Sequence, residues 1–279
     1  MCNQKPELNQ KPDKNAPIGV FDSGVGGLTV AREIMRQMPE ERIVYFGDTA
    51  RVPYGSKSQD TIIRYSRQII RFLMTKHVKA IVIACNTASA YALAKECDVP
   101  IIGVIRAGAR TAVQVTRNGK IGVIATEGTI GSGIYTQEIK KLRPDIEVTG
   151  KSCPLFVPLV EEGLLHDSVT DEIASRYLSS LKSRFVDTLV LGCTHYPLIR
   201  STLGRLMGND VTLVNPAYET AIELRDLLQK YGLSCDEENT GGEKYQFFVS
   251  DQTEKFTAFA TSILPNDVKE TRKVDIEKY

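Results

Sequence analysis

The sequence predicts an α/β protein made of two similar α/β lobes with mainly parallel sheets, related by a pseudo-two-fold axis, with the functional site in the cleft between them. Apolar runs alternate with amphipathic helical segments, which is typical of parallel sheets with helical crossovers. A repeat is also visible, because residues 18–23 (IGVFDS) have a counterpart at 121–126 (IGVIAT). Two apolar runs end in cysteine, at Cys85 and Cys193, which lie 108 positions apart, close to the 103-position spacing of the first repeat.

The first lobe opens with strands predicted from apolar runs at 18–21, 43–46, 80–84 and 101–104. Leu28, Ala31, Ile34 and Met38 recur at helical spacing and predict a helix after the first strand. The apolar pairs at 62–63 and 69–70 do the same after the second strand.

The second lobe repeats this alternation, with strands predicted at 121–125, 146–148, 188–191 and 212–214 and helices at 134–142, 167–182 and 197–207. A helix at 219–231, a strand at 245–249 and a helix at 252–263 then return to the first lobe. We therefore expect residues 17–105 plus 214–267 to form one lobe and 106–213 the other. Residues 1–16 are expected to be a disordered arm and 268–279 a charged tail.

Composition restricts the function. The formal net charge is +1, which gives no electrostatic reason to expect a nucleic acid or an acidic membrane surface as partner. No apolar stretch is long enough to span a bilayer, and the polar N-terminus lacks the apolar region of a signal peptide. We therefore expect a cytoplasmic protein. The six cysteines are expected to be thiols, and the absence of a Cys/His cluster with zinc spacing predicts no metal.

The two cysteines stand in similar surroundings, Ala84-Cys85-Asn86-Thr87 and Gly192-Cys193-Thr194-His195. Ligands bind at the carboxyl ends of strands in open α/β sheets, so both thiols are predicted to face a site. Either thiol could instead be a small core residue, since free cysteine is often buried. The polar residues that follow each one favour the functional interpretation. Two thiols on opposite sides of one substrate would suit an enzyme that removes a proton from one face of the substrate and returns a proton to the other face.

A glycine-rich loop, Asp22-Ser23-Gly24-Val25-Gly26-Gly27, follows the first strand and opens a helix. Its backbone N–H groups could bind a phosphate or a carboxylate. Thr29 stands where a dinucleotide-binding loop would have its third glycine, although Asp48 could imitate the ribose-binding acid of such folds. Asp22 could relay a proton from a neighbouring thiol, or it could simply cap the helix.

The segment from Gly47 to Gly55 is a turn-rich loop that ends in Pro53-Tyr54-Gly55 and is expected to present N–H groups and a phenol. His195, two residues after Cys193, could lower the pKa of that thiol or relay a proton. The same Cys–His pair could form a hydrolase or acyltransferase dyad, but Cys85 would then have no role.

Taken together, these segments closely resemble the glutamate racemases of the aspartate/glutamate racemase superfamily. Six motifs carry the resemblance in order: FDSGVGGL (21–28), DTARVPYG (48–55), ACNTA (84–88), ATEGT (125–129), PLVE (158–161) and GCTHYPL (192–198). The match runs from about Ile18 to Ile263. It departs from the family in the polar extension before Pro17 and in the segment Asn215-Pro216-Ala217-Tyr218.

The resemblance implies a racemase that uses no cofactor and no metal. In the family, the counterpart of Cys85 acts on D-glutamate and that of Cys193 on L-glutamate, one as thiolate and the other as thiol. Asp22 would assist Cys85, while Glu161 and His195 would assist Cys193. Substrate binding is expected from the residues of these motifs, namely Asp22, Ser23, Tyr54, Gly55, Asn86, Thr87, Thr126, Thr129, Thr194 and His195.

The resemblance further implies that L- and D-glutamate are the substrates, that D-glutamate is supplied for peptidoglycan, and that the chain is a homodimer. Tyr54 and Gly55 would lie at the side-chain carboxylate of the amino acid. An aspartate racemase is the nearest alternative enzyme. A non-catalytic amino-acid or nucleotide-binding module and a redox dithiol protein with a Cys85–Cys193 disulfide are the alternatives from other classes.

Overall fold

The computed structural model of the chain describes residues 12–92, 98–235, 243–251, 253–268 and 270–279. Most of the predicted arm 1–16 lies outside these residues. Cys2 and Cys97 also lie outside them. Within them, strands and helices alternate as two parallel sheets flanked by helices, which confirms the predicted α/β class.

The described strands are β1 (Ile18–Asp22), β2 (Ile43–Gly47), β3 (Ala80–Ile83), β4 (Ile101–Gly103), β5 (Lys120–Ala125), β6 (Glu147–Ser152), β7 (Thr188–Gly192), β8 (Thr212–Val214), β9 (Tyr245–Val249) and β10 (Thr271–Lys273). The described α-helices are α1 (Leu28–Gln37), α2 (Gln59–Met74), α3 (Asn86–Tyr91), α4 (Val104–Val115), α5 (Glu127–Gly131), α6 (Ile134–Leu142), α7 (Phe156–Glu161), α8 (Ser168–Lys182), α9 (Arg200–Met207), α10 (Pro216–Tyr231) and α11 (Thr253–Ile263). Short 3₁₀ helices lie at Tyr54–Ser56, Tyr196–Ile199 and Ile276–Lys278.

The two sheets share one strand order. The first sheet runs β10-β9-β2-β1-β3-β4 and the second β6-β5-β7-β8. Four consecutive strands of the first sheet are therefore arranged as second, first, third and fourth, and the four strands of the second sheet repeat that arrangement. All described strand pairs are parallel. The repeat seen in the sequence corresponds to β1 and β5, and Cys85 and Cys193 follow the equivalent strands β3 and β7.

Each sheet is buried on both faces, because helices cover both sides of a parallel sheet. Strands β1, β2, β3 and β7 consist of buried residues throughout, which explains why their sequences read as unbroken apolar runs. Edge strand β6 is different, since none of its residues is fully buried. Its sequence, EVTGKS, lacks apolar continuity, and for this reason only its first part was predicted.

Several short helices were not predicted from the sequence. Helix α3 has the sequence NTASAY, which carries no apolar period, and α5 and α7 are too short to show one. Helix α4 begins at Val104, where the sequence predicted the end of a strand. Helix α10 begins at Pro216, earlier than predicted, because the Asn215 side chain accepts a hydrogen bond from Ala217 N.

The structure also differs from the sequence prediction at the end of the chain. Within the segment expected to be a charged tail, β10 pairs in parallel with β9. Ile276 is buried, and the Tyr279 ring packs edge-on against Phe72 with their centroids 5.4 Å apart. Because Ile276 and Tyr279 are isolated among charged residues, they do not produce the periodic apolar pattern from which a packed segment could be predicted. The predicted lobe boundaries, 17–105 plus 214–267 and 106–213, remain a prediction.

Candidate active site

The equivalent strands β3 and β7 bring both cysteines to one small cavity. Its volume is about 30 Å³, room for about two water molecules. Residues from both sheets line it: Ser23, Val52, Pro53, Tyr54, Gly55, Cys85, Asn86, Thr87, Thr126, Val157, Cys193, Thr194 and His195.

Cys85 lies at the N-terminus of α3 and is 5% exposed. Its Sγ accepts a hydrogen bond from Ala88 N at 3.5 Å and lies 3.6 Å from Ser23 Oγ. Burial raises the pKa of the Cys85 thiol to about 12, and the negative charge of Asp22 adds to that increase. At neutral pH Cys85 is therefore a protonated thiol, suited to donate a proton.

Cys193 has a cationic neighbour. Its Sγ lies 3.7 Å from His195 Nδ1, and His195 Nε2 lies 3.0 Å from Glu161 Oε1. Burial lowers the pKa of His195, but the hydrogen bonds with Cys193 and Glu161 and the charges of Cys193 and Asp22 outweigh that effect and raise it to about 10. His195 is therefore protonated at neutral pH and holds a positive charge beside the Cys193 sulfur.

Asp22 connects the two cysteines electrostatically. Its carboxylate is fully buried, accepts the N–H of Gly24 at 3.0 Å and lies 3.4 Å from Thr194 Oγ1. Burial raises the pKa of Asp22, while the charge of His195 and the backbone N–H groups act in the opposite direction. Asp22 is thus a buried acid in reach of both thiol environments, and it does not cap α1, whose N-cap residue is Gly27.

The glycine-rich loop touches the second cysteine loop. A side chain at Gly26 would overlap Thr194 Oγ1 and His195 Nδ1, so this close approach requires glycine. Thr29 closes the same contact, with its Oγ1 2.9 Å from Gly26 O and 3.1 Å from Thr194 O. The residue in place of the third glycine of a dinucleotide loop therefore links the two halves of the site.

Hydroxyl and amide groups line the rest of the cavity. The Oγ1 atoms of Thr87, Thr126 and Thr129 form a mutually bonded cluster with separations of 2.8 to 3.2 Å. The Asn86 Oδ1 accepts a hydrogen bond from Tyr135 OH at 2.7 Å. This hydrogen bond fixes the orientation of the Asn86 side chain, and the amide N–H groups point away from the Tyr135 hydroxyl.

The Tyr54 phenol lies at the end of a loop after β2. Tyr54 is 1% exposed, and its hydroxyl donates a short hydrogen bond to Asp48. Asp48 also accepts Arg51 Nε at 2.7 Å and Ser250 Oγ at 2.8 Å. Burial raises the pKa of Tyr54 well above its usual value, and the charge of Asp48 has the same direction. The phenol therefore stays protonated.

The predicted site residues fall into two groups. Ser23, Tyr54, Gly55, Cys85, Asn86, Thr87, Thr126, Cys193, Thr194 and His195 line the cavity. Asp22, Glu161 and Thr129 lie behind it and contact residues of that lining. His77 and His166 are exposed and belong to neither group.

Sequence reasoning missed four contributors to the site. Val52 and Val157 line the cavity, Tyr135 holds Asn86, and Thr29 bridges the two loops. An apolar residue in a loop and a tyrosine on a helix give no local signal of such roles. The sequence did show Thr29 in place of a third glycine, but not that its hydroxyl contacts the second cysteine loop.

Two features are absent from the described residues, namely a metal-binding cluster and a membrane-spanning helix. None of their His, Cys, Asp and Glu side chains converge in groups of three or more that could hold a metal ion. Over the same ranges, no helix combines the length and apolar character needed to cross a bilayer.

Comparison with known proteins identifies the family. The model of the Asp/Glu/Hydantoin racemase family matches residues 18–222. The chain belongs to this family. The resemblance inferred from the motifs is thereby confirmed at family level. A curated glutamate racemase of Geobacter metallireducens is 47% identical over 263 residues, which cover 93% of this chain and 97% of the relative.

Solved structures of the racemase family agree with this assignment. A glutamate racemase isoform from Bacillus anthracis superposes with a TM-score of 0.89 at 41% identity, covering 94% of this chain and 98% of the other. A Francisella tularensis glutamate racemase, solved in complex with D-glutamate, gives a TM-score of 0.87 at 39% identity and covers 95% of this chain and 100% of the other. The architecture described above is therefore that of the racemase family.

The arrangement offers two acid–base groups on one cavity. Cys193, His195 and Glu161 also form a nucleophile–imidazole–carboxylate series that a thiol hydrolase could use. That alternative gives no role to Cys85, which lies on the same cavity and has its own carboxylate neighbour.

Proposed function

We propose that this protein is a cofactor-independent glutamate racemase in which Cys85 and Cys193 are the two acid–base groups. The observation that supports this most directly is that both thiols, carried by equivalent strands, open onto one cavity. The substrate is proposed from relatives named glutamate racemase, such as the one that is 47% identical over 93% of this chain.

In the L-to-D direction, the Cys193 thiolate removes the Cα proton and becomes a thiol. The Cys85 thiol gives its proton to the opposite face of the carbanion and becomes a thiolate. The D-to-L direction exchanges the two roles. To restore the starting form after L-to-D turnover, one proton must move from Cys193 to Cys85, and His195 and Asp22 are the titratable groups beside these thiols.

The surroundings of the thiols suit this direction of proton flow. The His195 imidazole lies 3.7 Å from the Cys193 sulfur and is held by Glu161 on its other side, so it can exchange a proton with that thiol. Buried Cys85 beside Asp22 favours the neutral thiol. The Cys85 side of the cavity therefore supplies a proton donor, and Cys193 beside His195 is proposed as the base in the L-to-D direction.

The Cα proton of an amino acid is a far weaker acid than a thiol, and the carbanion has to be stabilised by the site itself. Ser23, Asn86, Thr87 and Thr194 would contact the α-carboxylate and amino group, and Tyr54 and Gly55 the side-chain carboxylate. Thr126 and Thr129 complete the hydroxyl cluster. Fixed donors in a cavity that excludes water act more strongly as charge develops on the substrate.

An amino acid does not fit in a cavity of about 30 Å³, so the site has to widen for binding. Two larger cavities border it and share lining residues with it. One, of about 380 Å³, includes Val52 and Glu161, and the other, of about 320 Å³, includes Val52, Gly55 and Thr126. We propose that the substrate enters by displacement of the loop that carries Val52.

The first test is circular dichroism of the purified protein with L-glutamate in D₂O, without added cofactor. We expect optical activity to decay to zero with deuterium incorporated at Cα. Rotation that persists with glutamate but decays with aspartate would replace glutamate by aspartate as substrate, and no exchange with either would favour a binding module. A Cys85–Cys193 disulfide on peptide mapping would instead favour the redox alternative.

The biological role is proposed from the product. D-glutamate is a component of peptidoglycan, and we propose that the enzyme supplies it to the bacterial cell wall. Complementation of a D-glutamate auxotroph by the wild type but not by Cys85→Ala tests this. The homodimer and the cytoplasmic location remain predictions, which sedimentation velocity and cell fractionation would test.

A further inference from the structure

We propose that the segment Thr271–Tyr279, here called the terminal brace, positions the substrate-binding loop 48–56 and thereby strengthens substrate binding. Arg51 and Glu277 are inferred to be the positioning residues, acting on Tyr54 and Gly55 rather than on the substrate itself. The inference rests on the proposed function, because it concerns the loop proposed to bind the side-chain carboxylate.

Asp48 organises the loop from within. Its carboxylate is fully buried and is held by the Tyr54 hydroxyl, by Ser250 Oγ and by Arg51 Nε. Since a buried carboxylate needs a compensating charge, the position of Asp48 depends on Arg51. The Tyr54 phenol, which lines the cavity, is therefore fixed by a carboxylate whose own partner lies further from the site.

Arg51 connects this interior network to the brace. Its side chain is 9% exposed, and its Nη1 lies 2.5 Å from Gln68 Oε1 and 3.1 Å from Glu277 Oε1. The guanidinium also lies over the Tyr65 ring, 4.0 Å from its centroid, and the Tyr65 ring packs against that of Tyr54. Arg51 thus acts on Asp48 through its charge. The flat face of its guanidinium packs on Tyr65, which in turn packs against Tyr54.

Glu277 is held in place by the packing of the brace. Strand β10 pairs with β9, Ile276 is buried, and Gln68 Nε2 donates to Glu277 Oε2 at 3.2 Å. At the end of the brace, Arg71 Nη1 donates to the main-chain oxygen of Tyr279 at 3.0 Å. These contacts place Glu277 beside Arg51 although its side chain is 68% exposed.

The expected effects follow from this chain of contacts. Glu277→Gln keeps the shape but removes the charge from an exposed pair, and we expect KM for glutamate to rise about threefold. Arg51→Gln leaves Asp48 without its compensating charge, and KM should rise about tenfold or more. In both variants kcat should stay within about twofold of wild type, since neither residue touches the reacting atoms.

Glu270→Gln is the matched control. Glu270 directly precedes the brace, is 61% exposed and pairs with Arg272 at 2.9 Å, so Glu270→Gln removes one negative charge from the same surface without reaching Arg51. The double variant Arg51→Gln/Glu277→Gln completes a cycle. If Glu277 acts through Arg51, the double variant has the KM of Arg51→Gln alone.

Hydrogen exchange of amides in residues 48–56 provides a readout that does not need activity. We expect faster exchange in Glu277→Gln than in Glu270→Gln. Unchanged KM and unchanged exchange in Glu277→Gln would overturn the proposal, as would multiplicative KM effects in the double variant. If the wild type fails to racemise glutamate but amides 48–56 still exchange faster in Glu277→Gln than in Glu270→Gln, the proposed function is overturned and the positioning role of the brace is supported.

Discussion

Single residues give the two thiols opposite electrostatic surroundings. Cys85 lies by a buried carboxylate, Asp22, and Cys193 lies 3.7 Å from a protonated imidazole, His195. The sequence placed both thiols at strand ends and placed His195 and Asp22 near them. It could not show the sign of each environment, because desolvation depends on which side chains cover a group. Tyr135 was missed for a similar reason, since its contact with Asn86 joins two helices distant in the chain.

Replacing either cysteine should abolish racemisation. We expect Cys85→Ala and Cys193→Ala each to lower kcat for glutamate by about 10³-fold or more, because a two-base exchange cannot proceed with one base. Circular dichroism of each variant with L- and with D-glutamate measures this. Full activity in either variant would refute the two-thiol mechanism, whereas slow elimination from a substrate analogue with a β-leaving group is compatible with it.

Removing the Tyr135 hydroxyl should release the Asn86 amide. We expect Tyr135→Phe to lower kcat/KM about tenfold, because Asn86 Oδ1 loses the donor that fixes its orientation. Tyr231→Phe, on α10 and away from the cavity, is the control. Equal kinetics for the two variants would show that the hydrogen bond does not orient Asn86.

His195 should make stability depend on pH. Its pKa is raised from 6.5 to about 10 in the folded protein, so its contribution is fully present below about pH 6.5 and is lost as pH rises towards 10. The stability difference between wild type and His195→Gln should therefore shrink by up to about 5 kcal/mol between pH 6 and 10. Urea unfolding at several pH values measures it, and a constant difference would contradict the assigned protonation.

At the scale of elements, prediction succeeded where a strand is an unbroken buried apolar run or where a helix has one buried face. Helix α6 begins and ends where the sequence predicted, and the buried strands β1, β2 and β7 deviate by one residue at most. Prediction failed for α3, whose first residues belong to the cavity rather than to an apolar face. It also failed for β10, whose pairing with β9 depends on partners outside its own sequence.

The segment 215–218, where the sequence predicted a departure from the family pattern, forms the start of helix α10. Asn215 Oδ1 accepts Ala217 N at 3.1 Å, and Pro216 occupies the first position of α10. We expect Asn215→Ala to destabilise the fold by about 1 kcal/mol, and Asn215→Asp to restore most of it. Chemical denaturation measures both. Loss of activity without loss of stability in Asn215→Ala would mean that this segment has a role beyond capping.

At the scale of the molecule, both thiols are buried between the loops that follow the strands of the two sheets. Cys85 and Cys193 are 5% and 7% exposed, and the cavity they share has room for only about two water molecules. Access of a substrate to the thiols therefore requires this cavity to widen, as proposed above for the loop that carries Val52. The sequence predicted a cleft between two lobes but not how closely its walls meet, because that distance is set by contacts such as Gly26 against Thr194.

Alkylation should report this closure. At pH 8 we expect iodoacetamide to modify Cys85 at least about tenfold more slowly than half-buried Cys235, because the Cys85 thiol is both covered and protonated. Mass spectrometry of the separated peptides gives the two rates in one sample. Equal rates would indicate that the open form dominates in solution.

The shared strand order of the two sheets has a kinetic consequence. The backbone offers each thiol an equivalent position, but the charges beside them are not equivalent, so the two half-reactions follow different energy profiles. Mirror-image substrates have equal free energy in water, and the equilibrium constant between them is therefore unity. Microscopic reversibility then requires the same kcat/KM in both directions. For an enzyme that interconverts enantiomers, the asymmetry can appear only as a higher kcat matched by a proportionally higher KM in one direction.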